Sequence, residues 1–431
     1  MPIGAPSLAV VPTGGRRRGS IRPNAVVHDQ VGDRFVAVAT SDMIAALQRR
    51  YQSFFASGPG VPFAVADASA GAAAVAHRFG TGDPKFTITV RDQRGATALA
   101  SLDQFGVAVA YLEGWIDVDG DLEAVLRMRQ FFHDVHPVKW ASQFVPALIK
   151  GRKASDREAI SHHYDEDSEF FLSFLDERYR CYTEGVFASD DEPIEDAMTR
   201  KMDLAYDALG VKPGDHVLEV GGGWGAWVEY AGKRDVEVTT LTLAKESERY
   251  LNELIRDKGL PARVVREHIF AYTSPTRYDG IVNMGVTEHL PNYRATIRKY
   301  AELVKPGGRV YLDALAMRRK HNISTFMSRY VYPGGQSPLL LHQYLREVAR
   351  SPFELVSLAD DRHNYFLTCQ RWAQKLDAKR EEIVSRWGEP LYRRFRLFLW
   401  GSAAGFDTGL VQAYRWVLQL PTTTGATEVG A

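Results

Sequence analysis

Residues 182–187 read YTEGVF and place one carboxylate, Glu184, among aromatic, small and apolar neighbours. A carboxylate short of water holds a proton more tightly, which is what a base beside a reacting centre needs. An ordinary loop charge is the other reading of the same residue. Further on, HVLEVGGGWGAW carries Glu219 followed by Gly221, Gly222, Gly223 and Gly225. Glycines between a strand and a helix let backbone approach a ligand at the carboxyl edge of a sheet. A dinucleotide fingerprint is spaced G-x-G-x-x-G around a pyrophosphate. Here the spacing is E-x-G-x-G-x-G, and a carboxylate just ahead of the loop suits a positively charged ligand instead. A glycine-rich turn without a ligand is the bland alternative.

Elements of the right kind surround both stretches. From about residue 195 helix and strand patterns alternate: IEDAMTRKMDLAYDAL as helix, PGDHVLEV as turn and strand, VEVTTLTL as strand, and KESERYLNELIRDKG as a helix ended by Gly259. ARVVREH, YDGIVNMG and RVYLDAL supply further strands. Such alternation predicts a parallel sheet covered by helices, an α/β Rossmann-like fold. Earlier, KFTITVRD alternates as a strand, and the following FGVAVAYLEGWIDVDGDLEAVLRMRQFF reads as a turn and then a helix. The expected organisation is a tail over 1–34, a small α+β domain over 35–150, the main domain over 151–420 and a tail over 421–431. The region after about 320, rich in aromatics and helix formers, is expected to fold back as a cover.

Bulk composition narrows the partners. The chain has 431 residues with 53 Lys+Arg and 53 Asp+Glu. Zero net charge argues against nucleic acid as the main partner, while leaving room for a local basic patch at a membrane surface. Cys181 and Cys369, the two cysteines, make neither a disulfide framework nor a metal-ligand set and fit a reducing cytoplasm. No apolar run reaches the roughly 18 residues of a membrane span. The basic cluster at the N-terminus follows the weakly apolar part, the wrong order for a secretory signal.

HYDEDSEFFLSFLD, LEVGGGWGAW, VTTLTLAKE, GVTEHLPNY, KPGG and YVYPGG occur here in one order and spacing. With them the chain resembles the cyclopropane-fatty-acyl-phospholipid synthases and the related mycolic acid methyltransferases, from about residue 60 to about 420. AYLEGWIDVDGDLEAVL resembles the small N-terminal domain of the bacterial synthases. The resemblance implies S-adenosyl-L-methionine as cofactor and an unsaturated phospholipid acyl chain as substrate. It implies an enzyme at the inner membrane surface and a possible homodimer. The implied cofactor contacts are Tyr182 and Thr183 ahead of the loop, Glu219, Gly221 and Gly223 in it, and Thr242 and Leu243 after the second strand. Glu267 and His268 fall on the adenine side. A family glutamine is Ser247 here, so Glu246 is a candidate to take over its contact.

The family also holds bicarbonate beside the sulfonium with a cysteine, a glutamate, a histidine and a tyrosine. Glu288 in VTEHL matches the glutamate and Tyr365 in RHNYF the tyrosine. Glu184 falls on the cysteine and Asp313 on the histidine. A late family cysteine is Ser402 here, which argues against covalent catalysis at that position. Three carboxylates would repel bicarbonate, so Glu184 is expected to serve as a built-in base. That change favours a methylene product, as in the 10-methylene-forming fatty acid methyltransferases of tuberculostearic acid biosynthesis, where a flavin-dependent reductase follows. A cyclopropane made with an altered base is the alternative. Asp313 as a turn cap, Tyr365 as core, and His162, His163 and Tyr164 as structural polar residues remain open readings. RWAQKL and RRFRLFLW read as core or tunnel lining, and RRFR as a solvated basic face or a phosphate contact.

Overall fold

The computed structural model describes residues 38–69, 76–134, 167–319, 324–331 and 338–422. The expected tails, the 150/151 boundary and the His162–Tyr164 motif lie outside the described residues.

Two sheets organise the chain. The smaller contains β1 (Phe63–Asp67), β2 (Ala76–Phe79), β3 (Phe86–Val90) and β4 (Ile116–Gly120), in the order β2-β1-β3-β4. In β3 every second residue is buried, as a strand with one core face requires. Phe63 stacks on Phe79 and Phe86 with ring centroids 4.6 and 5.1 Å apart. The stretch expected to be a turn and one helix is in fact helix Gln104–Leu112, strand β4 and helix Leu122–Arg127. Asp103 and Asp121 cap these helices by accepting backbone N–H groups of their first turns. Those side chains fix where each helix starts.

The larger sheet contains β5 (His216–Val220), β6 (Glu237–Thr242), β7 (Ala262–Arg266), β8 (Tyr278–Met284), β9 (Val304–Ala316), β10 (Glu354–Asp360) and β11 (Gln412–Gln419). Its order is β10-β11-β9-β8-β5-β6-β7. The five strands from β7 to β9 pair in parallel, while β11 and β10 add antiparallel. The strand order reverses at β5, so a crevice opens beyond the carboxyl ends of β5 and β8, where open α/β sheets take ligands.

Helix Ile194–Leu209 packs on this sheet through Ile194, Ala197, Met198, Lys201, Met202, Ala205 and Leu209, and ends at Gly210 with φ +67°. Lys201 is the exception in an apolar stripe. The C-terminal helices Arg362–Ala378 and Glu389–Asp407 pack on each other, and the second also meets helix Leu122–Arg127. Arg393 donates to the carbonyls of Tyr111 and Ile116 at 2.9 and 3.2 Å and pairs with Asp117. Arg396 pairs with Asp377 at 2.9 Å. Arg393 and Arg396, the outer arginines of RRFR, are thus ties to the smaller sheet and to the adjacent helix, rather than a solvated face.

Candidate active site

The glycine loop leaves β5 with Gly221 at φ +91° and Gly223 at φ +50°. A Cβ on Gly221 would run into Val286 Cγ2, from the turn after β8. Glu219 closes the strand, is buried, and has an Oε2 without a hydrogen-bond partner. Burial raises its pKa to about 7, and the nearby Thr240 hydroxyl offsets only part of that. Ser247, at the start of helix Lys245–Lys258, donates to the Gly223 carbonyl at 2.8 Å and pins the loop.

A second set of charges lies at the ends of β8 and β9. The Lys201 ammonium is fully buried, 3.0 Å from Asp313 Oδ2 and 3.3 Å from Glu184 Oε2, and bonds the Thr183 hydroxyl. Asp313 Oδ1 accepts the Gly285 N–H at 2.9 Å. Gly285, at φ +67°, turns the chain into the short helix Thr287–His289 that carries Glu288. Glu288 Oε1 accepts the Leu315 N–H at 3.4 Å, and its Oε2 is buried without a hydrogen-bond partner. Burial, with a smaller push from Asp313, raises the Glu288 pKa to about 8. Burial and then Asp313 raise Glu184 well above the usual carboxylate range, and Lys201 offsets only part. Burial opposes the charge on Lys201, yet Asp313 and Glu184 outweigh it and hold the ammonium protonated. Asp313 is raised by burial against the pull of Lys201.

One cavity of about 380 Å³ joins these groups to the smaller sheet. Its wall includes Glu219, Glu288, Tyr365, Cys369 and Trp372, and continues over Val107, Tyr111 and Leu122. Tyr365 is buried and stacks on Phe406 at 4.6 Å. A mostly apolar wall with a few placed polar groups is the make-up of a ligand-binding pocket.

The mycolic acid cyclopropane synthetase family model matches residues 151–416. This chain belongs to that family. Among its relatives, a sphingolipid C9-methyltransferase of Candida albicans is 26% identical over 337 residues, 71% of this chain and 64% of that protein. The tuberculostearic acid methyltransferase UfaA1 of Mycobacterium tuberculosis is 29% identical over 292 residues, 64% of this chain and 68% of that protein. The chain therefore spans about two thirds of the length of these curated relatives. A crystal structure of mycolic acid cyclopropane synthase CmaA1 complexed with SAH and CTAB superposes with a TM-score of 0.57 at 26% identity, covering 61% of this chain and 98% of that one.

The fold is that of S-adenosylmethionine-dependent methyltransferases, and S-adenosylmethionine is the cofactor. The residues fit it. An unpartnered buried carboxylate beside a glycine cradle that a Cβ would fill matches a cationic ligand.

Of the residues expected from sequence, Tyr182, Thr183, Glu219, Gly221, Gly223, Thr242, Leu243, Ser247, Glu267 and His268 all line the cavity. Glu246 does not: its carboxylate turns away to Arg249 and to the Ser168 hydroxyl, so Ser247 alone stands at the loop. Glu288 and Tyr365 face the cavity, whereas Glu184 and Asp313 sit behind its wall on Lys201. Asp313 is held by Gly285 and Lys201 rather than capping a turn of its own. Lys201 escaped the sequence reading. The signal was there, because spacing from Ile194, Ala197 and Met198 puts residue 201 on the buried stripe of its helix.

Proposed function

We propose that the chain transfers one carbon to the double bond of an unsaturated phospholipid acyl chain, converting oleoyl to 10-methylene-stearoyl. The observation that carries this reading is the buried cluster of Glu184 and Asp313 on Lys201, two positions that the resemblance matches to the family's bicarbonate ligands. Its ammonium already serves two carboxylates, which leaves no free cation there to hold a further anion.

S-adenosylmethionine supplies an electrophilic methyl group, with Glu219 and the Gly221–Gly223 backbone holding its amino-acid end and Thr242, Leu243, Glu267 and His268 its nucleoside end. The apolar wall orients the alkene and excludes water from the cation left on the acyl chain. That cation must lose a proton. Glu288 accepts it: its unpartnered Oε2 is presented on the wall, Asp313 and Lys201 bear on how readily that oxygen ionises, and Glu184 shares the Lys201 ammonium with Asp313. After a hydride shift to the first cationic carbon, loss of a proton from the new methyl group leaves an exocyclic methylene. Direct loss from that methyl group without the shift closes a cyclopropane. This second reading draws on Glu288 and Tyr365, which match the synthases.

Helices Gln104–Leu112 and Leu122–Arg127 of the smaller layer form one wall of the cavity, which fits a small N-terminal α+β domain as the cover of the acyl chain. A phospholipid substrate places the enzyme on the cytoplasmic membrane surface, as a peripheral protein and possible homodimer. Among the described residues no helix is long and apolar enough to cross a membrane. A methylene product calls for a flavin-dependent reductase as the next enzyme. The test is mass spectrometry of fatty acids from a host rich in oleoyl phospholipid, expressing the chain with and without Glu184→Gln. A product of one added carbon that takes up hydrogen under mild conditions to give a methyl branch, and that is lost in the variant, supports the reading. A ring, or full activity in the variant, overturns it. Activity in bicarbonate-free buffer separates a built-in base from a bound one.

A further inference from the structure

One cation on the cavity wall has no role in this chemistry. Arg129 lies on the short helix Arg129–Phe131, in the smaller layer rather than at the strand ends that carry the acid cluster. Its helix is held firmly. Arg50 donates to the carbonyls of Phe131 and Gln130 at 2.7 and 2.9 Å, and Met128 and Phe131 are buried on either side. Arg129 itself makes no side-chain hydrogen bond or ion pair among the described residues.

Asp134, whose charge partly offsets that of Arg129, takes its hydrogen bonds from another segment. Asp134 Oδ2 accepts the Thr325 N–H at 3.0 Å and Oδ1 accepts the Thr325 hydroxyl at 2.7 Å. Burial depresses the Arg129 pKa and Asp134 only partly counters it, but a guanidinium keeps its charge regardless. A half-buried, permanently charged group on an apolar wall is costly without a counter-ion. Gln104 shares this wall, tied through its N–H to the His133 carbonyl at 3.0 Å, next to Asp134. Ser324 and Phe326, which flank Thr325, line the same part of the cavity.

We propose that Arg129, with Gln104 on the same wall, is a binding site for the anionic head of the amphiphile whose chain fills the cavity, a phosphodiester or a carboxylate. The guanidinium fork matches both anions in bidentate geometry. The site rests on the acyl-chain reading above and adds to it: one end of the chain is fixed by charge in the smaller layer, and the double bond is thereby measured off toward Glu288.

The test uses binding to the full chain, with S-adenosylhomocysteine affinity as the check on folding. The probes are oleoyl lysophosphatidylglycerol, oleate and oleyl alcohol, compared by titration calorimetry. The wild-type chain is expected to bind at least one anionic probe roughly ten- to a hundredfold more tightly than the alcohol, the worth of a charged hydrogen-bonded contact. Arg129→Gln should erase that preference, and Arg129→Lys should keep part of it. A stronger response to the lysolipid identifies a phosphodiester site, and to oleate a carboxylate site. Equal binding of all three probes by the wild type, or an unchanged preference in Arg129→Gln, overturns the proposal while leaving the acyl-chain reading intact. Failure of every probe to bind overturns both.

Discussion

At the residue scale, the site is a problem in proton inventory. Two buried carboxylates, Glu184 and Asp313, share one ammonium and Glu288 is buried beside Asp313, so the three are not all ionised at neutral pH. Glu288, raised to about 8, holds its proton at pH 7. If its ionised form accepts the substrate proton, log kcat/KM should rise with pH and level off above about 8. Glu288→Gln should remove that limb and lower kcat by at least a hundredfold. The same shift has an opposite consequence for folding. The unfolded chain releases this proton near its ordinary value, the native chain only near 8. Stability therefore falls as pH rises between those two values, and the variant should lose that slope in denaturant titrations. Lys201 is the complementary case. Lys201→Met strands Asp313 and Glu184 without a cation and should cost about 3–5 kcal/mol of stability. Adding Asp313→Asn to it should recover part of the loss, as read from urea midpoints. A Lys201→Met chain as stable as wild type would remove the ammonium from this account.

At the element scale, the loop after β5 and the turn after β8 lean on each other. Gly221 is at φ +91° and abuts Val286, so Gly221→Ala adds both backbone strain and a clash. It should weaken S-adenosylmethionine binding at least tenfold in equilibrium titration, and Val286→Ala should restore only part, because trimming Val286 leaves the strain. Unaltered binding in Gly221→Ala would show that the loop can yield. These central elements were legible in the sequence because buried parallel strands read as apolar runs and glycines mark the turns between them. β10 was not legible. Leu355, Val356 and Leu358 stand exposed on this edge strand, so no alternation betrays it. β11 was hidden by a segment whose aromatics read equally as helix. The acid cluster was half legible: motif spacing reached Glu184, Glu288, Asp313 and Tyr365, but which of them faces the cavity depends on side-chain direction. The lysine behind them appears only when the apolar stripe of its helix is followed through a charged residue.

At the scale of the whole molecule, the reaction needs two layers that belong to different sheets. The candidate cofactor residues lie on the larger sheet and the segments around it, whereas the apolar cavity runs on into the smaller one. Helix Glu389–Asp407 is the piece that spans them, and Arg393 is its tie, bonded to two carbonyls and to Asp117 around β4. Removing that tie should therefore separate the two halves of the function. Arg393→Ala is expected to cost about 2 kcal/mol through its half-buried charged hydrogen bonds. Its affinity for S-adenosylhomocysteine should stay at the wild-type value, because no cofactor residue touches this helix tie. Its KM for oleoyl phospholipid vesicles should rise roughly tenfold, with kcat changed much less, since a loosened wall weakens binding of the chain without altering the groups that handle the proton. Equal losses in cofactor affinity and lipid KM would mean that the layers fold and fail as one unit. A kcat that falls with KM unchanged would mean that the smaller layer shapes the reacting geometry itself rather than the grip on the acyl chain.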